Sequence, residues 1–315
     1  MLSKSNLELS KIEVLSLLCT DKYELIDNLL IAENMTKIRL EKRLGHCHSI
    51  YEFLFKCSKK SFVESVKEYD WNKIYKKDFC IRVHGTDEFT ERDVAGYIYR
   101  KLKKPEVNLN NPKTKIEFFF EKDIVVCALF IADVDKSFLK RKAHLRPSLH
   151  PTSMHPGLAR TLINLTGLEK GLILDPFCGS GGILLEAGLM GFKTIGYDID
   201  EEQINRAKKN INHYKIKKFK LEKKDALSIA IKPDAIVADL PYGKGSKGNN
   251  LKYLYEAFLK KAYAKTDVAV VMMPDFISPK KIISKTKWKI KGVFEIYVHK
   301  SLTRMIFILT KNLYH

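Results

Sequence analysis

The sequence predicts an α/β protein with an α+β front half and a back half built on a mostly parallel sheet. From residue 158 onward, short apolar runs alternate with stretches of helical periodicity, an order typical of parallel sheets with helical crossovers. The chain ends with two adjacent strand-like runs, which predict a closing antiparallel hairpin. Before residue 136 the elements do not alternate in this way. The two halves are therefore predicted to be separate domains.

The elements of the back half are predicted from their own patterns. The strands are short apolar runs that end at turn residues: Leu172–Leu174, Thr194–Tyr197, Ala235–Ala238, Val268–Met272, Val293–Val298 and Met305–Leu309. The helices carry apolar residues three and four positions apart: Ile183–Leu189, Glu201–Asn212 and Leu251–Ala264. The stretch 244–250, rich in glycine and lysine, is interpreted as a surface loop. These elements predict one domain over residues 158–315.

The front half divides into segments that differ in hydrophobic pattern and composition. Residues 1–60 start with a predicted helix from Leu7 to Leu18 and form a small N-terminal α+β region. Residues 61–135 form a second domain, and residues 136–157 are basic, contain prolines and predict a linker. The elements predicted within the second domain are the strand Phe79–Val83, the helix Glu91–Lys103 and the hairpin strands Thr114–Phe120 and Ile124–Ala132.

Composition restricts the partners and the compartment. The chain has 56 Lys and Arg against 37 Asp and Glu, a net charge of +19, which favours a polyanion such as nucleic acid. A general preference for lysine explains the same charge equally well. The six cysteines form no CxxC pair, which predicts a reducing cytoplasm and neither a disulfide framework nor a metal site. The apolar run Ile124–Ala132 is too short to cross a bilayer, so no membrane association is expected.

A glycine-rich turn runs from Asp175 to Gly182, between a predicted strand and the helix after it. Glycines let the backbone approach a nucleotide-like ligand, and the helix start offers free N–H groups. The turn is neither GxGxxG nor a Walker loop. Asp198 ends the next strand, where a carboxylate can bind both ribose hydroxyls. Asp225 ends a third strand, which lies between Thr194–Tyr197 and Ala235–Ala238 in the sequence, and there it can accept from an adenine amino group. The arrangement favours a Rossmann-like domain that binds S-adenosylmethionine. A dehydrogenase would also place an acid at Asp198, and a solvated acid is the alternative for Asp225.

The fourth predicted strand ends in Asp239-Leu240-Pro241-Tyr242. A carboxylate, a rigid backbone and an aromatic face at one strand tip can hold a flat ring that carries an amine. Asp239 would accept from the exocyclic N–H, and Tyr242 would stack on the ring. A turn that only ends a strand is the alternative. Methylation of a pyrimidine carbon would need a cysteine beside the base, but Cys178 lies in the cofactor turn and is interpreted as a packing residue.

Asp239-Leu240-Pro241-Tyr242 resembles the [DN]-P-P-[YFW] motif of amino-methyltransferases, with Leu240 in place of the usual proline. Pro241 still restrains the residue before it, so the loop shape is expected to survive. Most of the chain resembles the archaeal tRNA guanine-10 N2-methyltransferase family. The segments that carry this resemblance are His155–Arg160, Asn164–Thr166, Glu186–Gly191 and Val298–Arg304.

The resemblance implies a ferredoxin-like region at 1–60, an RNA-binding THUMP domain at 61–135, and mono- or dimethylation of a guanine N2. It further implies a monomer that binds tRNA, with a small activator protein as a candidate partner. Asp239, Pro241 and Tyr242 take the catalytic positions. The candidate cofactor-binding residues are Asp175, Phe177, Gly179, Ser180, Gly181, Gly182, Asp198, Ile199, Asp225, Ala226 and His155.

Three other functions remain open from the sequence. They are a guanine methyltransferase acting elsewhere in tRNA or on ribosomal RNA, a DNA amino-methyltransferase, and a non-catalytic RNA-binding protein with a decayed methyltransferase fold. Arg304 and His299 could contact phosphate, shape the target pocket or only stabilise the closing strands. Arg141, Lys142 and Arg146 are interpreted as part of a solvated basic linker.

Overall fold

The computed structural model describes residues 1–34, 36–149, 153–242, 248–299 and 302–312. The strands of the described residues are β1 (Tyr23–Ile26), β2 (Leu29–Ala32), β3 (Ser49–Ser58), β4 (Phe79–His84), β5 (Thr114–Glu121), β6 (Ile124–Asp133), β7 (Leu172–Asp175), β8 (Lys193–Asp198), β9 (Phe219–Lys223), β10 (Ala235–Asp239), β11 (Val268–Pro274), β12 (Lys289–His299) and β13 (Leu302–Thr310). The α-helices are α1 (Leu7–Leu18), α2 (Leu40–Arg43), α3 (Phe62–Glu68), α4 (Glu91–Tyr99), α5 (Pro156–Asn164), α6 (Gly182–Leu189), α7 (Glu201–His213), α8 (Gly248–Tyr263) and α9 (Pro279–Ile283).

The chain forms two compact units. The first comprises Met1–Leu2, Lys22–Ala32 and His48–Val134. Its main sheet has the order β3-β6-β5-β4, with β4 and β5 parallel and the other pairs antiparallel. Buried aromatic and aliphatic side chains of the sheet, α3 and α4 form its core, with Phe62, Trp71 and Phe118 at most 1% exposed. Helix α4 starts with a capping box in which Thr90 and Asp93 satisfy each other's backbone N–H groups.

The second unit is built on a seven-stranded sheet of the described residues, in the order β12-β13-β11-β10-β7-β8-β9. Strands β7 to β11 are parallel to their neighbours within this set, and β13 pairs antiparallel with β11 and β12. The predicted parallel sheet and its closing hairpin are confirmed. The central parallel strands β7, β10 and β11 are mostly apolar because both faces of the sheet are covered there, and Ile236, Val237 and Ala238 are fully buried. The edge strand β9 instead contains Lys220 and Glu222.

The second unit also contains two early segments, Ser3–Asp21 and Glu33–Cys47. Fully buried Glu13 accepts from the backbone N–H groups of Gly45 and His46 at 2.8 and 2.9 Å, and from the Asn164 amide at 2.8 Å. The Arg43 Nε in turn donates to the Asn164 side-chain oxygen at 3.1 Å. These bonds tie both segments to α5. The units therefore divide the chain differently from the predicted boundary at residue 60.

Lys136–Arg141 and Ala143–Leu145 form short 3₁₀ turns, and the Arg141 side chain is only 11% exposed. Arg141 donates from two nitrogens to the fully buried Glu186 carboxylate, at 2.7 and 2.8 Å, and Arg160 donates to it at 3.2 Å. We call Arg141, Arg160 and Glu186 the ion-pair cluster. Arg146 is only 5% exposed, and burial lowers its pKa. The interpretation of Arg141 and Arg146 as solvated side chains is wrong, because a buried carboxylate and the adjoining helices enclose them.

No helix in the described ranges is both long and apolar enough to span a membrane. The predicted loop 244–250 falls largely outside the described residues, since the structure resumes with the first turn of α8 at Gly248.

Candidate active site

A cavity of about 620 Å³ opens in the second unit at the carboxyl ends of β7, β8 and β10. This is the edge of a parallel sheet at which ligands bind in doubly wound folds. All three predicted catalytic residues line it. Of the predicted cofactor-binding residues, all except Gly181 and His155 line it as well. Segments more than sixty positions apart in the sequence thus meet in one cavity.

The glycine-rich turn forms one wall of the cavity. Gly179 and Gly181 have φ angles of +49° and +82°, a backbone region that favours glycine. A Cβ atom on Gly179 would meet nothing within 4 Å, so its backbone faces open space. A Cβ on Gly181 would lie 3.0 Å from the Ala207 Cβ, so Gly181 lets α6 and α7 approach closely. The missing side chain at Gly179 leaves space in the cavity, whereas the missing side chain at Gly181 lets the helices behind the cavity pack closely.

Asp198 is fixed by two backbone N–H groups at the end of β8. One carboxylate oxygen accepts from Gly179 at 2.9 Å, and the other accepts from Asp200 at 3.0 Å. Each carboxylate oxygen has a second acceptor position left for a ligand. The next residue, Ile199, lines the cavity with a side chain that is 72% exposed. A fixed acceptor beside an exposed apolar side chain suits the ribose and the flat face of a nucleoside.

Asp225 begins a short 3₁₀ turn after β9, where its side chain accepts from the Leu227 N–H at 2.8 Å. Its side chain is exposed, and Ala226 beside it is buried. Asp175, in contrast to Asp225, is buried. It is 2% exposed, and burial raises the pKa of its carboxyl well above the usual range, with the Phe177 N–H as its hydrogen-bond donor at 3.1 Å.

His155 and Cys178 have structural contacts. The His155 Nδ1 accepts from the Gly157 N–H at 3.1 Å and caps the start of α5. Cys178 is 5% exposed, and burial raises the pKa of its thiol, which keeps the sulfur protonated and unreactive. Its Sγ packs against Gly196, where an added Cβ would lie 3.0 Å from the sulfur.

The Asp239 turn continues β10 into the cavity. Tyr242 donates its hydroxyl hydrogen to Asp239, and Tyr255 donates to the Pro241 carbonyl. Leu240 is 1% exposed and packs in the main core of the unit, and its N–H donates to Met272 at 3.0 Å. The departure from proline at this position therefore replaces one buried apolar residue with another. The loop is held by the neighbouring strand and by Tyr255.

Asp239 lines the cavity and is otherwise surrounded by protein. Burial raises the pKa of its carboxyl to about 6, while the Tyr242 hydrogen bond and the nearby Arg304 charge act in the opposite direction. Burial also raises the pKa of the Tyr242 hydroxyl, so this group remains a hydrogen-bond donor. At neutral pH, Asp239 is an ionised acceptor whose first oxygen is already occupied by Tyr242.

Two cavity contacts were missed or left open by the sequence. Arg304 of β13 lines the cavity, and its guanidinium carbon lies 5.3 Å from the centre of the Tyr242 ring. Ser153 also lines the cavity, and its hydroxyl lies 2.9 Å from that of Ser180 in the glycine-rich turn. The residues around Ser153 form no recognisable motif, so the sequence gives no sign of this contact. His299 pairs with Leu302 through the backbone, and its side chain lies outside the described residues.

Comparison with known proteins gives consistent matches. The sequence profile described as RMKL-like, methyltransferase domain, matches residues 143–305. A profile described as DNA methylase matches residues 31–209, a span that stops before the Asp239 turn. The tRNA (guanine(10)-N2)-dimethyltransferase of Methanothermobacter thermautotrophicus is 33% identical over 302 residues, covering 92% of this chain and 88% of the relative. The protein of the same name from Pyrococcus abyssi is 30% identical, covering 90% and 89%.

Among solved structures, TrmN from Thermus thermophilus has a TM-score of 0.51 and 20% sequence identity, covering 99% of this chain and 98% of that one. At this identity the likeness concerns the fold alone. The methyltransferase profile and the named relatives place the chain in the S-adenosylmethionine-dependent methyltransferases, and the sheet order, the closing hairpin and the acid-lined cavity fit that class. Within that class, the chain belongs to the archaeal tRNA (guanine(10)-N2)-dimethyltransferase family.

Proposed function

We propose that this protein methylates the exocyclic N2 of a guanine in tRNA, at position 10, and forms N2-methylguanosine and N2,N2-dimethylguanosine. The observation that carries the proposal is the shared cavity: the Asp239 turn and the Asp198 and Asp225 carboxylates line the same space. Relatives that carry this activity in their names span most of the chain, which supports the choice of substrate.

The residues of the glycine-rich side fit S-adenosylmethionine. The cofactor supplies an electrophilic methyl group when it is bound. Asp198, held by the Gly179 and Asp200 N–H groups, would accept from the ribose hydroxyls. The exposed side chain of Ile199 would cover one face of the adenine, and Asp225 would accept from its amino group. Gly179 leaves room for the ligand to contact the backbone directly.

The residues of the Asp239 side fit an amine on a flat ring. The lone pair of such an amine is delocalised into the ring, so the nitrogen is a weak nucleophile. A hydrogen bond from N2–H to Asp239 would localise this pair, and stacking on Tyr242 would orient the ring. As N2 gained the methyl group, the S–C bonding pair would stay on the cofactor sulfur, and the proton lost from N2 would pass to Asp239, which accepts from that N–H, and then to solvent. Positioning supplies most of the rate enhancement in this scheme.

The first unit is proposed to be the tRNA-binding THUMP domain. Four basic side chains at and after the end of α4 are exposed and close together in the sequence: Arg100, Lys101, Lys103 and Lys104. Phosphate contacts from such side chains give affinity that falls with salt. Reversing Lys101, Lys103 and Lys104 to Glu should lower tRNA affinity and flatten its salt dependence, while cofactor affinity stays unchanged. Unchanged tRNA binding would remove this surface from the proposal.

The direct test is incubation of the full chain with unmodified tRNA and isotopically labelled S-adenosylmethionine, followed by nucleoside mass spectrometry and site mapping. The proposal predicts label in N2-methylated guanosine at one tRNA position. Asp239→Ala serves as the inactive control. Label in methyladenosine would overturn the substrate, and label at another guanine would overturn only the position.

A further inference from the structure

Three arginines of the second unit have a buried nitrogen without a hydrogen-bond partner among the described residues: Arg146 at Nη1, Arg206 at Nε and Arg304 at Nε. Of these three, Arg304 is the one that lines the cavity. Arg141 and Arg160 are paired with Glu186, and Arg43 donates to Asn164 and to two carbonyls. The buried Arg304 Nε has no hydrogen-bond partner among the described residues. A buried donor without a partner costs free energy unless a ligand satisfies it. The cavity location of Arg304 suggests where such a ligand would come from.

The backbone places Arg304 beside the target side of the cavity. It pairs across the sheet with Pro274, at the carboxyl end of β11, and with Ile296 of β12. Its guanidinium carbon lies 5.3 Å from the Tyr242 ring centre, and its charge lowers the pKa of Asp239. An acceptor, an aromatic face and a cation therefore share one end of the cavity. Asp225 and Asp198 line it from other strands.

Guanidinium groups only donate hydrogen bonds, and ionised carboxylates only accept them. A ring recognised by both must offer a donor and an acceptor. Guanine does so, since its 2-amino group donates and its O6 carbonyl accepts on the same edge. Adenine also offers a donor and an acceptor, but its amino group is at position 6 and its acceptors are the ring nitrogens N1 and N7. Of the two purines, guanine alone has an amino group at position 2 and an acceptor at position 6, so a carboxylate at the 2-amino group and a guanidinium at O6 together favour guanine over adenine.

We propose that Arg304 is a specificity-determining residue that donates to the O6 carbonyl of the target guanine while Asp239 accepts from its 2-amino group. This inference rests on the proposed function, because it assigns a role to Arg304 in that same reaction. The competing explanation is a positioning role, in which Arg304 only keeps Asp239 ionised and Tyr242 in place. The two explanations predict different responses to a base that keeps the amine and lacks the carbonyl.

The test uses two tRNAs that differ only at the methylated residue, which is guanosine in one and 2-aminopurine in the other. 2-Aminopurine keeps the 2-amino group, has hydrogen in place of O6 and carries no hydrogen on N1. Single-turnover rates and kcat/KM are measured for the wild type, Arg304→Met and Arg304→Lys. Lysine keeps the charge without the planar fork, and methionine keeps much of the apolar stem without any donor. Melting temperature and cofactor affinity show whether each variant is folded.

The wild type should prefer guanosine over 2-aminopurine by about 10- to 100-fold, the range for a hydrogen bond to a charged group. Arg304→Met should methylate the guanosine tRNA more slowly by that same factor, so that its rates on the two tRNAs become equal. The rate ratio of Arg304→Lys should lie between those of the wild type and Arg304→Met. An equal loss on both tRNAs, with the preference kept, would overturn base recognition and leave positioning. If Arg304→Met does not fold, the ratio of the Arg304→Lys rates on guanosine and 2-aminopurine distinguishes base recognition from positioning in the same way. Failure of the wild type to methylate guanine N2 would instead refute the proposed function.

Discussion

Glu186 and Asp239 are acidic residues of the same unit, but they differ in how many of their carboxylate oxygens have hydrogen-bond partners. Both oxygens of the fully buried Glu186 carboxylate are occupied by Arg141, and one of them also by Arg160. Asp239 has one oxygen occupied by Tyr242, and burial raises the pKa of its carboxyl to about 6. Arg304 influences Asp239 but is not among its hydrogen-bond donors in the described residues.

This difference separates structural from functional carboxylates. A buried carboxylate with saturated partners holds segments together, because removing it leaves two cations without a counter-charge. A buried carboxylate with spare acceptor capacity destabilises the fold and gains its partner from a ligand. The first kind should therefore affect stability when it is mutated, and the second kind should affect activity. Substitutions of Asp239, Glu186 and Asp198 distinguish the two kinds.

Asp239→Ala should lower the methylation rate at saturating substrates by about 1000-fold or more, because the acceptor for the reacting amine is removed. Tyr242 remains available for stacking, so tRNA affinity should stay within about threefold. Single-turnover methylation and a binding titration measure the two quantities. Asp267→Ala is the matched control, since the Asp267 side chain is 83% exposed and bridges to Lys311. Full activity of Asp239→Ala would remove Asp239 from the mechanism.

Glu186→Ala should reduce the free energy of unfolding by about 3–5 kcal/mol, the cost of leaving buried charges unpaired. Denaturant titration of the full chain measures it. The control is Glu202→Ala, because this carboxylate is 68% exposed and its pair with Arg206 lies on the surface of α7, where about 0.5 kcal/mol is expected. If Glu186→Ala lost less than about 1 kcal/mol, the ion-pair cluster would not be a structural clamp.

Asp198→Ala should weaken S-adenosylmethionine binding about 10- to 100-fold, since two hydroxyl partners and the ordering of the Gly179 backbone are lost together. Calorimetric titration of the cofactor measures the affinity, and melting temperature reports the fold. Glu201→Ala removes a nearby exposed carboxylate that pairs with Lys223 and should leave the affinity unchanged. An equal loss in both variants would indicate a general charge effect instead of a ribose contact.

Local patterns predicted the second unit well. Alternating apolar runs and helical stretches identified β7, β8, β10 and β11, and the last two runs identified β12 and β13. The cavity was predictable because the carboxyl ends of parallel strands share one edge of the sheet. Once β8 and β10 were identified, Asp198 and Asp239 were expected at the same edge of the sheet. Asp225 follows β9 (Phe219–Lys223), for which no bounds were predicted.

The partition of the front of the chain was not predictable from local patterns. Helix α1 was predicted at the correct residues, but its sequence does not reveal that fully buried Glu13 binds Asn164 across 151 positions. The same holds for Arg141 and Arg146, since a basic, proline-containing stretch looks the same whether it is solvated or folded around Glu186. Long-range polar contacts of this kind leave no periodic signal. One practical consequence is that deleting residues 1–135 would remove Glu13 and Arg43 from the second unit.

The smallest expected effect is the reduction in the free energy of unfolding that ionised Asp239 causes. A carboxyl whose folded-state pKa is raised to about 6 favours the protonated form, so ionisation opposes folding at a pH above that value. Asp239→Asn keeps the acceptor for Tyr242 and removes the charge. It should raise the free energy of unfolding at pH 8 by about 1–2 kcal/mol, after allowance for solvent in the cavity, and by little below pH 4.

Denaturant titrations of the wild type and Asp239→Asn at pH 4 and pH 8 measure this difference, and Asp267→Asn is the exposed control. The same pKa predicts that the wild-type methylation rate rises with pH through about 6 and is level above 7, because the ionised carboxylate accepts from the amine more strongly than the carboxylic acid does. A variant that is more stable at pH 8 and inactive would place Asp239 among the functional carboxylates. Equal stability at both pH values would show that solvent in the cavity already compensates the charge, and the contrast with Glu186 would then rest on hydrogen bonding alone.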